Sequence, residues 1–199
     1  ANCEEKYERV FEKKLEYMCI NNVHVKEVKK EFDILICAYL YTDIVREKIL
    51  QFKFENKKFL YKSLSQKLIE NILKYINEKD GIDIDCILSV PISIERYFER
   101  GYNQSYLIAK WVAKQINTPL IKLCLIKTKN NKKQSTLNVS KRINNVKNVY
   151  KVFYSKRIKD KNILLIDDIY TTGATVNECS RILKENGAKK IIVATIAKA

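Results

Sequence analysis

The chain is poor in the residues that break regular structure, with four glycines and two prolines in 199 residues, and it has a single histidine. Glycine-dense phosphate loops are therefore missing. No Gly-x-x-x-x-Gly-Lys-Ser/Thr run occurs, and the one phosphate-like turn carries one glycine where a dinucleotide fingerprint needs three. His24 stands between Val23 and Val25, which leaves a thiol–histidine catalytic pair one candidate partner and no supporting motif. Cysteines occur at 3, 19, 37, 86, 124 and 179, none in the Cys-x-x-Cys spacing of structural zinc sites. Cys37, Cys86, Cys124 and Cys179 lie in apolar patterns and read as small core hydrophobes. No apolar run approaches the roughly 18 residues of a membrane helix. No signal peptide opens the chain, so no membrane span and a cytoplasmic location are expected. No internal repeat is visible.

Acidic residues are also in deficit. There are 38 Lys and Arg against 23 Asp and Glu, a net charge of +15 that draws polyanions. A composition rich in Lys, Asn, Ile and Tyr is equally what an AT-biased genome yields, so charge alone leaves nucleic acid open.

Periodicity gives a helix over 4–20, a strand over 32–41, helices over 43–54 and 60–76 (the latter closed by Asp80-Gly81), and a buried strand over 85–91 stopped by Pro91. A loop follows to about 103, then a helix to Ile116, a strand over 120–126, a polar lysine-rich stretch over 127–148 without clear period, and a short strand over 149–153. The last unit is strand 163–166, a turn, a helix starting near Val176 and ending at Asn186-Gly187, and strand 191–196. Strands alternating with helices predict an α/β domain with a largely parallel sheet and helices on both faces. We expect that domain over 32–199, preceded by a small helical appendage over 1–31.

The chemistry concentrates in residues 162–176. An apolar strand runs into Asp167 and Asp168, then Thr171-Thr172-Gly173-Ala174-Thr175, then an amphipathic helix. That order puts the turn at the carboxyl edge of the sheet, where α/β folds hold ligands. Helix N-terminal N–H groups suit a phosphate, Gly173 permits close backbone approach, and threonine hydroxyls donate to phosphate oxygens. The two carboxylates suit a sugar diol, with Mg²⁺ handling the remaining charge. The plain alternative is a βα unit whose Thr and Asp side chains only cap a helix. A second constellation follows strand 85–91, where Arg96 and Arg100 offer planar forks for pyrophosphate or are simply solvated surface charges.

Residues 162–176 resemble the phosphoribosyl-pyrophosphate (PRPP) signature of the type I phosphoribosyltransferases. The resemblance implies Asp167 and Asp168 as the catalytic and ribose-binding acids, and Thr171, Thr172, Gly173, Ala174 and Thr175 as the 5′-phosphate cradle. Val90-Pro91 followed by Arg100-Gly-Tyr-Asn-Gln-Ser105 is similar to the middle motif of the competence protein F (ComF-like) branch. Phe52-Lys53-Phe54-Glu55-Asn56-Lys57 upstream agrees with it, as do Lys127, Gln134, Ser135, Leu137, Arg142, Asn145 and Phe153 downstream. This resemblance implies a pyrophosphate loop at 89–93, including Pro91 and Ile92, with Arg96 and Arg100. It also puts Asn103 and Gln104 near the ligand, and a flap at about 127–142 with Lys127, Gln134 and Arg142. ComF-like proteins commonly begin with a four-cysteine zinc module, of which only Cys3 and Cys19 stand here, so a trimmed or lost module is expected and no protein-held metal.

Three functions compete at this point. One is a Mg²⁺-dependent transfer of phosphoribosyl from PRPP to an acceptor the sequence does not name. Another is a non-catalytic PRPP- or nucleotide-binding competence protein that handles single-stranded DNA during uptake, with partners in the competence machinery. For it, Tyr97, Phe98 and Tyr102 among the arginines either stack bases or pack the loop down. The third, a purely structural α/β domain, runs against the signature.

Overall fold

Four parallel strands form the centre of the protein. The computed structural model describes residues 30–78, 82–129 and 148–199. In chain order the elements are β1 (Ile34–Leu40), α1 (Asp43–Phe54), α2 (Leu60–Asn77), β2 (Cys86–Ser89), α3 (Ile94–Arg100), α4 (Gln104–Gln115), β3 (Leu125–Lys127), β4 (Tyr150–Val152), β5 (Asn162–Tyr170), α5 (Ala174–Glu185) and β6 (Lys190–Lys198). The main sheet has the order β1-β6-β5-β2, all pairs parallel, and β3 with β4 makes a separate antiparallel pair.

Alternation along the strands builds two cores, because successive side chains leave opposite faces. Leu164 and Ile166 of β5 and Ile192 and Ala194 of β6 face a layer of α1, α2 and α4 that supplies Ile49, Leu64, Leu68, Ile108 and Val112. Ile163, Leu165, Ile191 and Val193 face the other way, onto Val176, Cys179 and Leu183 of α5 and Leu125 and Tyr150 of the small sheet. The protein is thus an α/β fold with helices on both faces. Cys86, Cys124 and Cys179 are buried in the second core as small hydrophobes; Cys37 is half-buried, 3.3 Å from the Thr195 hydroxyl. Among the described residues no helix is long and apolar enough to cross a membrane.

Helix α1 spans the residues that its periodicity predicts, while α3, β3, α5 and β5 differ from expectation. The segment after β2 is not simply a loop. Residues 94–100 form a helix whose start is capped by the Ser93 hydroxyl, which accepts from the Arg96 N–H at 3.4 Å, and whose end is Gly101 at φ +73°. The expected strand over 120–126 is broken: Leu120 makes a single bridge to Ile87, Leu123 turns to φ +57°, and only 125–127 pair. Helix α5 begins at Ala174 rather than near Val176, and β5 runs on through both aspartates to Tyr170. The expected helix over 4–20, His24, Cys3, Cys19 and the Asp80-Gly81 stop lie outside the described residues.

Candidate functional site

Strands β2 and β5 are neighbours, with Ser89 beside Ile166, and the Val90 N–H extends the ladder to the Ile166 carbonyl at 2.9 Å. After β2 the chain goes to α4 on one face, and after β5 to α5 on the other. Their carboxyl ends therefore bound the crevice at which an open α/β sheet switches direction. Both sequence constellations open onto it.

On the β5 side, Asp167 and Asp168 are both partly buried and differently held. Asp167 Oδ1 accepts from the Ser105 hydroxyl at 2.8 Å and from the Asp168 N–H at 2.9 Å. Burial, and then the neighbouring Asp168 charge, push the Asp167 carboxyl up to about 7. Asp168 Oδ2 is paired with Lys53 Nζ at 2.7 Å. Three segments thus meet at two acids: the end of α1, the first turn of α4 and β5. Beyond them Tyr170 turns its ring under Gly173, where a Cβ would lie 2.6 Å from the ring Cζ and the backbone sits at φ +73°. Only glycine fits there. As the residue before α5, Gly173 brings no capping side chain, and the Ala174 N–H has a long 3.4 Å contact to the Thr172 hydroxyl. Thr171 is exposed, while Thr175 hydrogen-bonds the Tyr150 phenol and so joins the turn to the small sheet. Ala174 and Thr175 belong to the first helical turn.

On the β2 side, Pro91, Ile92 and Arg96 are half-buried at the crevice rim. Arg100 lies with its guanidinium carbon 5.1 Å from the Phe54 ring centroid and donates from Nη1 to Gln104 Oε1 at 3.0 Å. Burial lowers its pKa, and Asp168 acts in the opposite sense. Lys127 on β3 has its ammonium 5.8 Å from the Tyr150 ring and is brought down to about 8, by burial first and by Arg96 second. Arg96, Arg100 and Lys127 therefore converge on the same crevice as the two acids.

Other expected contacts resolve into supporting roles. Asn103 uses its whole amide locally: Oδ1 accepts from the Tyr106 N–H at 3.3 Å and Nδ2 donates to the Val90 carbonyl at 3.0 Å. Gln104, 1% exposed, reaches the crevice only through Arg100. Tyr102 does not stack in solvent; it is buried on Phe52 and donates its hydroxyl to the Phe52 carbonyl. Tyr97 and Phe98 are 51% and 81% exposed. Gln134 and Arg142 lie outside the described residues. Sequence reading did not place Lys53 or Ser105 at the site, although each stands in a quoted motif, Phe-Lys-Phe-Glu-Asn and Arg-Gly-Tyr-Asn-Gln-Ser.

Residues 102–199, which include α4, β5 and α5, match the sequence model of the phosphoribosyl transferase domain. The chain is 32% identical over 152 residues to competence protein ComFC of Bacillus subtilis, covering 75% of this chain and 58% of that protein. It is 28% identical over 158 residues to competence protein F of Haemophilus influenzae, covering 76% of this chain and 66% of that protein. It therefore spans less than two thirds of the length of these relatives. An adenine phosphoribosyltransferase structure from Leishmania tarentolae aligns with 86% of this chain and 82% of its own at 15% identity and a TM-score of 0.44. The fold and the domain match define a phosphoribosyltransferase-type α/β protein. Within that class, the chain is similar to the ComF-like competence proteins over about three quarters of its length.

Proposed function

We propose that the crevice binds PRPP and that the protein transfers its phosphoribosyl group to an acceptor. The observation that carries this reading is the juxtaposition of Asp167 and Asp168 with the Gly173 turn on one strand–turn–helix unit at the switch of the sheet. In this reading the 5′-phosphate sits on the α5 N-terminus among Thr171, Thr172, Gly173, Ala174 and Thr175. Asp167 and Asp168 accept from the ribose hydroxyls, and Pro91, Ile92, Arg96 and Arg100 hold the pyrophosphate. Asn103 and Gln104 position these groups, and Lys127 adds a cation. Residues 32–199 then form the catalytic domain and 1–31 an appendage.

In the transfer, a bond forms from an acceptor nitrogen to C1′ while the C1′–oxygen bond to pyrophosphate breaks. Both electrons of that bond leave with pyrophosphate, and the acceptor's N–H proton goes to water. Mg²⁺ suits this donor set. Among the described residues no group of three or more His, Cys, Asp or Glu gathers, and the hard oxygens at hand are the Asp167 and Asp168 carboxylates. Mg²⁺ is ordinarily held by one or two carboxylates with substrate phosphates and water, and it would neutralise the leaving pyrophosphate. Calorimetry with PRPP, with and without Mg²⁺, tests the reading. Micromolar binding that requires Mg²⁺ supports it, and no heat at millimolar PRPP rejects it.

A second reading rests on the exposure of Tyr97 and Phe98 beside Arg96. It is a PRPP- or nucleotide-binding protein that holds single-stranded DNA during uptake in the cytoplasm, together with competence-machinery proteins. The names of the relatives, which include a DNA utilization protein of Escherichia coli, support it. A dedicated groove predicts that Arg96→Gln with Tyr97→Ala weakens oligonucleotide binding far more than Lys189→Gln with Lys190→Gln at the opposite sheet edge. Equal, small losses would assign the binding to generic surface charge.

A further inference from the structure

Helix α5 starts without a side-chain cap from the residue before it, Gly173, so what lies beneath the turn has to set its geometry. Glycine takes positive and negative φ about equally well, and a turn held at φ +73° needs an outside constraint. The Tyr170 ring supplies one. It fills the space that a Cβ on Gly173 would take, with its Cζ 2.6 Å from that position. Phe32 meets Tyr170 edge to face, with ring centroids 6.3 Å apart and planes at 84°, and both rings are buried. Such a pair orients its rings beyond what burial alone does. Phe32 is in turn gripped at both ends of a short strap ahead of β1. On one side the Glu31 N–H donates to Asn177 Oδ1 at 2.7 Å, and the Asn177 N–H bonds the Gly173 carbonyl at 2.8 Å in the first turn of α5. On the other, Asp33 accepts from the Ile191 N–H at 2.8 Å and from Lys184 Nζ at 3.1 Å.

We infer that Phe32 and Tyr170 are positioning residues for the 5′-phosphate, a two-ring buttress that holds Gly173 and the first α5 N–H groups in the geometry a phosphate needs. The inference deepens the PRPP reading and rests on it, since the phosphate concerned is the one that reading puts on the α5 N-terminus. Neither residue is a ligand to the phosphate. Their effect passes through the backbone: Phe32 fixes the Tyr170 ring, that ring fixes φ at Gly173, and that φ aims the N–H groups that follow. Donors already aligned need no ordering when the phosphate arrives, whereas a turn free to change φ is ordered at the expense of affinity. Selectivity follows from position. The strap leads into β1 at one edge of the sheet, and the groups proposed for pyrophosphate follow β2 at the other edge.

The test measures binding of PRPP and of inorganic pyrophosphate, each with Mg²⁺, by calorimetry on the whole chain. Amide exchange over 174–180, which includes the bonded Asn177 N–H, is followed by mass spectrometry. Phe32→Leu and Tyr170→Leu keep apolar bulk and remove a ring. Each should weaken PRPP by about tenfold, the worth of one charge-assisted hydrogen bond, while pyrophosphate affinity stays within about twofold. The double variant should be no weaker than Tyr170→Leu alone, because residues acting along one route do not add. Exchange over 174–180 should quicken in each variant. Asn177→Ala keeps both rings and only frees the strap; it should show the same pattern at about threefold, and it decides the matter if a ring variant does not fold. Ile72→Val, in the other core, is the control for lost packing and should leave every reading unchanged. The inference is overturned if PRPP and pyrophosphate weaken together, if PRPP affinity or the exchange is untouched, if the two ring substitutions multiply, or if the control behaves as they do. If the wild-type protein binds no PRPP, the proposed function fails, and the exchange readout alone decides the buttress.

Discussion

Gly101 and Gly173 share a backbone angle, φ +73°, and stand at the two sides of the same crevice, yet they are glycines for different reasons. Around Gly101 a Cβ would meet nothing within 4 Å; the residue only ends α3 in the left-handed region. At Gly173 the same Cβ would enter the Tyr170 ring. The β5 side is thus built of close-packed backbone on a buried strand. The β2 side is a short, solvent-facing helix carrying long side chains. A surface of the first kind holds one geometry, and one of the second kind can adjust around a charged group.

The largest expected effect falls on the rigid side. Replacing both Asp167 and Asp168 by Ala should lower PRPP affinity by more than about 100-fold while the circular dichroism spectrum stays native, since two charge-assisted acceptors are lost and the core is untouched. Unchanged affinity in calorimetry would remove these acids from the ligand site. The glycine pair sharpens the contrast. Gly101→Ala should cost about 1–2 kcal/mol, the left-handed penalty alone. Gly173→Ala should cost clearly more in urea titration, because steric overlap adds to that penalty. Equal losses would mean that the Tyr170 contact is readily relieved.

A pH effect comes next. The Asp167 carboxyl, raised to about 7, binds a proton more tightly folded than unfolded, where its pKa is about 3.9. Its contribution therefore favours folding in acid and is lost as the pH rises through about 7. Asp167→Asn keeps an acceptor for Ser105 and for the Asp168 N–H. It should raise Tm at pH 8 by about 2–4 °C and leave it unchanged at pH 4. A gain of equal size at both values would put the cause elsewhere. The smallest expected effect is Ser105→Ala, about 1 kcal/mol from one hydrogen bond to Asp167. Chemical denaturation measures it directly, and no loss would mean water replaces the hydroxyl.

The same contrast explains what could be read in advance. The β5–α5 unit is contiguous in sequence, and its strand, acids, glycine and helix were all legible, because local spacing encodes them. Helix α3 was not. Its apolar residues Ile94, Tyr97 and Phe98 face solvent, so no buried stripe marks its seven residues. The break at Leu123, 77% exposed at φ +57°, likewise contradicts an apolar run that reads as a strand. Lys53 and Ser105 were missed at the site because they lie 115 and 62 positions from the acids they contact, a proximity that only the folded sheet creates.

The Lys53–Asp168 ion pair has a consequence for coupling. Under the proposed reading, a ribose hydroxyl that claims Asp168 loosens the grip on Lys53, whose side chain also lines a neighbouring cavity. PRPP arrival would then release an ammonium into that cavity and raise its hunger for an anion, and by reciprocity a bound anion would hold PRPP more firmly. A single lysine would then couple the sugar phosphate to whatever anion the neighbouring cavity takes, in either order of arrival.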